Sequence, residues 1–98
     1  MKNIMDEFIE KNRNRELPRG KYYGFSIGGR SARLHIHAKT FDKNDKGIIL
    51  YDTDRNSIVE DIKPWEVIDV FSCSIYRGEW ELENILYDSE HGVKINGD

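Results

Sequence analysis

The sequence predicts an α+β fold made mainly of antiparallel strands: an N-terminal amphipathic helix, then a six- or seven-stranded meander forming a small barrel or a strongly twisted sheet. Two observations predict this class. Apolar residues first recur at helical spacing and then, from Lys21 onward, alternate with polar ones in short runs separated by turn residues. A length of 98 residues suits one core. We therefore expect a single domain over 1–98, with the helix in 1–17 and the meander in 21–97.

The N-terminal segment predicts a helix that ends before Pro18. Its apolar residues recur three or four positions apart, and acidic residues precede basic ones, as the helix dipole favours. Pro18 has no donor N–H and Gly20 permits a sharp change of direction. We expect this helix to pack on the sheet or to cap it. Its apolar positions are Met1, Ile4, Met5, Phe8 and Ile9.

Residues 21–40 predict a β-hairpin that turns at Gly28-Gly29, because a two-residue glycine loop matches the twist of paired strands. In that register the apolar residues of both strands share one face and a large side chain meets a smaller one. The predicted pairs are Phe25 with Ala32, Tyr23 with Leu34, Tyr22 with His35, and Gly24 with Arg33.

The second half of the chain repeats one strand-to-turn pattern. Residues 49–56 (ILYDTDRN) return 36 positions later as residues 85–92 (ILYDSEHG). Each copy is an apolar run that stops at Asp, which predicts a strand leading into an Asx-type turn. A calcium loop is excluded, since Ser57 and Lys63 stand where such a loop needs Gly and Glu. Strands are predicted at 47–52 and 57–62, with a helical turn near Pro64-Trp65 and a long strand ending at Tyr76.

The strand after the Arg77-Gly78 turn alternates acidic with apolar residues. We expect Trp80, Leu82 and Leu86 to face the core and the acids to face solvent. Such acids protect a strand edge against aggregation or form a ridge that docks on a basic partner. The candidate docking residues are Glu79, Glu81, Glu83, Asp88 and Glu90.

Charge is segregated along the chain, although the net charge is only −3. Residues 1–46 hold eleven Lys and Arg against six Asp and Glu, whereas residues 47–98 hold four against twelve. The halves therefore carry +5 and −8, so they pair with each other or bind charged partners. The composition, with two Ala and no Gln, is typical of an AT-rich genome such as that of a low-GC bacterium or its phage.

The polar face of the second predicted strand is basic. His35 and His37 point to the same side, where both can reach one phosphate or one metal ion. A metal site needs a third ligand, and sequence places neither His91, Asp42 nor Asp45 beside them, so no metal is predicted. The candidate ligand-binding residues are Tyr22, Arg30, Arg33, His35, His37 and Lys39.

Several classes of protein are disfavoured. The single Cys73 permits no internal disulfide, and the sequence shows neither a signal peptide nor an apolar stretch of about 18 residues. We expect a soluble cytoplasmic protein. No nucleophile elbow or glycine-rich phosphate loop is present, so we expect no enzyme activity and no cofactor.

The leading hypothesis is a non-enzymatic binding module, a phage-type accessory or inhibitor protein that docks on a nucleic-acid enzyme through an acidic sheet surface or a strand edge. The alternative is binding of nucleic acid or a nucleotide on the basic strand face. A weaker alternative is a metal-dependent phosphodiesterase built on His35 and His37. Open strand edges also permit a homodimer.

Overall fold

The computed structural model describes residues 4–29, 34–90 and 92–93. They form one short helix, a 3₁₀ turn and eight strands, so the mainly antiparallel α+β class and the N-terminal helix are confirmed, with more strands than expected. None of the described helices has the length and apolar character needed to cross a membrane. The elements are α1 (Ile4–Asn12), β1 (Lys21–Ile27), β2 (Leu34–Ala38), β3 (Thr40–Asn44), β4 (Gly47–Tyr51), β5 (Ser57–Ile62), the 3₁₀ turn (Pro64–Glu66), β6 (Val67–Tyr76), β7 (Glu79–Asp88) and β8 (Gly92–Val93).

The described strands form two antiparallel sheets, with orders β2-β1-β6-β7-β8 and β3-β4-β5. The chain passes between the sheets at Lys39, whose N–H donates a hydrogen bond to the Tyr51 carbonyl at 2.8 Å. Strands β3–β5 are therefore inserted between β2 and β6, and β1 pairs with β6. Neither sheet closes on itself among the described residues. The expected barrel built from one continuous meander is wrong.

The core lies between the two sheets and α1, and Phe41 stands at its centre. Its ring stacks on Phe8 of the helix at 5.7 Å and contacts Tyr23 and Phe25 of β1 edge-on at 5.2 and 5.4 Å. All four rings are almost completely buried. Aromatic pairs in these geometries stabilise a core beyond the effect of buried area. One residue of the small sheet thus joins the helix to the large sheet.

The chain after α1 is fixed to both sheets through its backbone. The Arg15 carbonyl accepts hydrogen bonds from the Tyr23 hydroxyl at 2.9 Å and the Thr40 hydroxyl at 3.3 Å. The Asn14 N–H donates to the Phe41 carbonyl at 2.7 Å. Burial raises the pKa of Tyr23 to about 12, against a small opposing effect of Arg15, so this hydroxyl remains a donor at neutral pH.

The β1–β2 hairpin forms with a register different from the expected one. β1 runs to Ile27 and β2 begins at Leu34, so six residues connect them instead of two. The Gly28 N–H donates to the Glu66 carbonyl at 2.7 Å, which directs the end of β1 toward the 3₁₀ turn. The register moves by four residues, an even number, so each residue keeps its predicted face. The observed pairs are Tyr23 with Ala38, Gly24 with His37, Phe25 with Ile36, Ser26 with His35, and Ile27 with Leu34.

Both copies of the repeat form the expected Asx-type turn. The Asp52 carboxylate accepts hydrogen bonds from the Asp54 and Asn56 N–H groups, each at 2.9 Å. The Asp88 carboxylate accepts one from the Glu90 N–H at 2.7 Å. In both copies the N–H of the second residue after Asp donates to the Asp carboxylate. The turn connects β4 to β5 in the first copy and β7 to β8 in the second.

Candidate functional site

One face of the five-stranded sheet covers the core, and its opposite face, here called the outer face, is left open by the described residues. Residues paired across antiparallel strands share a face. Tyr22 pairs with Cys73, which pairs with Leu82, and Phe71 pairs with Ile85. The outer face carries His35 and His37 from β2, Tyr22 from β1, Phe71, Cys73 and Ile75 from β6, and Trp80, Leu82 and Ile85 from β7.

A ring cluster, formed by Tyr22, His37, Lys39 and Trp80, occupies one end of the outer face. The Trp80 indole stacks on the His37 imidazole, with centroids 3.8 Å apart and planes 2° from parallel. Tyr22 lies edge-on to Trp80 at 5.2 Å, and the Lys39 Nζ is 4.9 Å from the Tyr22 ring centroid. Side chains of β1, of β7, and of the chain at and just after β2 thus form one continuous patch on the outer face.

Phe71 extends this patch because Gly24 has no side chain. A Cβ at Gly24 would lie 2.5 Å from Cε2 of Phe71, closer than two carbon atoms can approach. The Phe71 ring therefore rests over β1, with its centroid 6.2 Å from that of His35. The glycine allows an aromatic ring of β6 to lie beside the histidines of β2.

The β6–β7 hairpin projects beyond the rest of the sheet. The pairing of β1 with β6 ends where Lys21, the first residue of β1, meets Ser74. Beyond this point residues 75–80, here called the β6–β7 arm, pair only with each other. Five large apolar side chains of the arm and of the part of β7 next to it are each 40 to 61% exposed. These side chains are Ile75, Tyr76, Trp80, Leu82 and Ile85.

The acids of the predicted docking ridge are spread along β7. Glu79, Glu81 and Glu83 are exposed, as expected, on the side of the strand opposite Trp80. Asp88 lies nine residues from Glu79, about 30 Å at about 3.3 Å per residue, and Glu90 follows in the turn. The structure therefore brings Glu79 and Glu81 together at the arm and places Asp88 and Glu90 at the far end.

Glu83 differs from its two neighbours because it already has a cation. Its carboxylate pairs with the Lys21 ammonium at 2.5 Å. The hydrogen bond from Lys21 is the main reason that the pKa of Glu83 lies below its ordinary value. No described cation forms an ion pair with Glu79 or Glu81. Two carboxylates that no described cation neutralises thus stand beside the apolar arm.

Four of the six predicted ligand-binding residues, Tyr22, His35, His37 and Lys39, lie together at the outer face. Arg30 and Arg33 lie outside the described residues. Burial and, to a smaller extent, the nearby His35 lower the pKa of His37, so its stacked imidazole is neutral at pH 7. In the described part of the chain, no three His, Cys, Asp or Glu side chains are grouped to hold a metal ion. His91, one of the three candidates for a third ligand, lies outside that part.

The prediction that Trp80 and Leu82 face the core is wrong, whereas Leu86 does pack against it. Two β-bulges explain the difference. The β7 partners of consecutive β6 residues move by two positions between Ser72 and Cys73 and again between Val70 and Phe71. Each bulge inserts one residue, so the facing of β7 changes along the strand. Sequence alternation alone cannot locate such insertions. The signal in the sequence for an exposed hairpin tip was the Arg77-Gly78 turn, which has an aromatic residue close to it on either side, Tyr76 and Trp80.

Cys73 is buried beneath this surface, as expected for a small apolar residue. Its thiol donates a weak hydrogen bond to the Tyr22 carbonyl at 3.5 Å. Burial, with a contribution from Glu83, raises its pKa to about 11. Because the thiolate is the reactive form, Cys73 is a poor nucleophile at neutral pH.

Comparisons of the chain with protein-family models, with curated proteins and with solved structures found no match. A functional assignment therefore depends on the chemistry of the outer face and the β6–β7 arm.

Proposed function

We propose that this chain is a non-enzymatic binding module that docks on another protein through the outer face of its five-stranded sheet. The observation that carries the proposal is the run of exposed apolar side chains on one side of β7, namely Trp80, Leu82 and Ile85. Scattered apolar residues are ordinary on a surface, whereas a contiguous apolar patch marks an interaction site.

The chemistry of the patch favours a protein partner. Trp and Tyr are the side chains most enriched where binding energy concentrates in protein interfaces, and Trp80 and Tyr22 lie in contact near one end of this face. Leu82 and Ile85 offer no polar atom to a phosphate or a sugar. Glu79 and Glu81 alternate with Trp80 and Leu82 along β7 and point to the other side of the strand, so they place polar groups at the border of this apolar face.

The hypothesis of an accessory or inhibitor protein acting on a nucleic-acid enzyme remains part of this proposal in a modified form. The apolar side chains supply the centre of the contact, and the acids supply its edge. A basic groove that normally holds nucleic acid is one surface that this combination fits.

The test is affinity capture from a lysate of the source organism with three versions of the chain: wild type, Trp80→Ser/Leu82→Ser and Trp65→Ser. Trp65 is a matched control, since it is also an exposed tryptophan but lies near Ile4 of the helix. We expect a partner retained by wild type and Trp65→Ser and lost from the double variant. Identical capture by all three folded proteins would contradict docking through the outer face.

A second candidate function, binding of single-stranded nucleic acid or a nucleotide, is favoured by one observation. Trp80 and Phe71 add two rings to Tyr22, and bases stack on such rings. Titration of a fluorescent oligothymidine and a nucleotide panel at low salt, with His35→Ala and Lys39→Ala as variants, tests it. Absence of binding at low salt would remove this function, since electrostatic affinity is greatest there.

A further inference from the structure

We propose that the β6–β7 arm inserts into a cleft of the partner protein that has apolar walls and a rim of Lys or Arg side chains. This inference rests on the proposed docking function and specifies the chemistry of the partner. It follows from the shape of the arm and from its charge.

The shape of the arm requires contact on two sides. Ile75 and Trp80 point to the outer face, whereas Tyr76, the next residue along β6, points to the opposite side of the same two strands. Tyr76 is the most exposed of these three side chains. A flat partner surface would cover one side and leave the other in water. A cleft covers both, so insertion buries more of the exposed apolar surface.

The charge of the arm specifies the rim of that cleft. Glu79 and Glu81 pair with no described cation, whereas Lys21 already neutralises Glu83. The only cation of the arm, Arg77, lies 5.3 Å from the ring centroid of Tyr76. Carboxylates that lose water on docking without gaining a cation oppose association strongly. The partner must therefore supply Lys or Arg where it closes over Glu79 and Glu81.

A second copy of the chain does not meet this requirement. In a two-fold symmetric dimer each arm meets the same arm of the other copy, which brings two further carboxylates and no described cation except Arg77. Like charges across an interface oppose association. The occupant that fits is a different protein with a basic, apolar surface.

The 98-residue chain is immobilised and used to select from a displayed library of random 16-residue peptides, whose apolar and basic side chains stand in for the walls and the rim of the cleft. We expect the selected peptides to combine Lys or Arg with aromatic or aliphatic residues. The affinity of a synthesised selected peptide should fall about tenfold or more for Glu79→Lys/Glu81→Lys and for Trp80→Ser. It should change less than about twofold for Glu10→Lys, an exposed acid on the helix, and for Trp65→Ser.

The outcomes separate the two proposals. Selection of acidic or neutral peptides, or equal binding by the Glu79→Lys/Glu81→Lys protein, would overturn the basic cleft and leave docking intact. If the wild-type protein selects no more peptides than the Trp80→Ser/Leu82→Ser protein does, both the basic cleft and docking through the outer face are overturned. Far-UV circular dichroism and a urea titration establish that each variant is folded before its binding is compared.

Discussion

The Trp80 indole lies parallel to the His37 imidazole with centroids 3.8 Å apart, although β1 and β6 separate their strands in the sheet. This contact joins the two sides of the outer face. It also places an ionisable ring directly on a fluorescent one, so protonation of His37 is open to measurement.

Trp80 fluorescence should report a pKa for His37 below the ordinary 6.5, because burial and the nearby His35 disfavour the imidazolium. The measurement uses a Trp65→Phe background, in which Trp80 is the only tryptophan, and titrates emission from pH 8 to pH 4. His37→Phe keeps a stacked ring and should lose this transition. A midpoint above 6.5, or the same transition in His37→Phe, would refute the assignment.

The same shift predicts that stability falls on acidification. The unfolded chain binds a proton at His37 more readily than the folded protein does, so protonation favours unfolding. The contribution of His37 is complete above about pH 6.5 and is lost as pH falls through the lower folded-state pKa. Urea titrations at several pH values should show a smaller acid-induced decrease for His37→Phe than for wild type. An equal decrease would contradict the prediction.

Phe41→Ala should lower the free energy of unfolding by about 3–5 kcal/mol, as for other large core residues. The substitution removes the ring that contacts Phe8, Tyr23 and Phe25 at once. Urea unfolding followed by circular dichroism measures the loss. Trp65→Ala, at a side chain 72% exposed, should change stability by about 0.5 kcal/mol or less. Similar losses for both variants would show that Phe41 is not the centre of the core.

Gly24→Ala should destabilise the protein by about 1–3 kcal/mol, the usual cost of inserting a methyl group into occupied space. The added Cβ would overlap the Phe71 ring. In a Phe71→Ala background the same substitution should cost much less, because the clash is absent. A double-mutant cycle by urea unfolding measures the coupling. Equal costs in both backgrounds would mean that Phe71 does not lie over Gly24.

Asp52→Ala should cost about 1–2 kcal/mol, since two N–H groups of the turn lose their acceptor. Asp52→Asn keeps a side-chain oxygen and should cost clearly less. Thermal unfolding of the two variants distinguishes hydrogen bonding from charge. If Asn is as harmful as Ala, the turn depends on the carboxylate charge instead.

The helix and most strands of this fold follow from local sequence signals, whereas the outer face depends on pairing between strands that are distant in sequence. The helix, the strand β5 over Ser57–Ile62 and both Asx turns were evident because each follows from its own neighbouring residues. The break at Lys39 was not, since it depends on a hydrogen bond to the distant Tyr51. The exposure of Trp80 depends on bulges that form only when β7 meets β6.

Four of the six basic-face residues lie together because a register shift of four positions preserves which face each residue occupies. The acidic residues were less predictable. Their spacing shows that Glu79, Glu81 and Glu83 share a side of one strand, but it cannot show that Lys21 reaches Glu83 from a strand 62 positions earlier.

The pairing of β1 with β6 determines when the outer face forms during synthesis. The ring cluster needs residues 22, 37, 39 and 80, and β7 continues to Asp88. A nascent chain that has emerged from the ribosome only as far as β5 contains Tyr22, His35 and His37. It still lacks β6, which pairs with β1, and Trp80 of β7. The outer face is therefore assembled only after nearly all of the described chain has emerged.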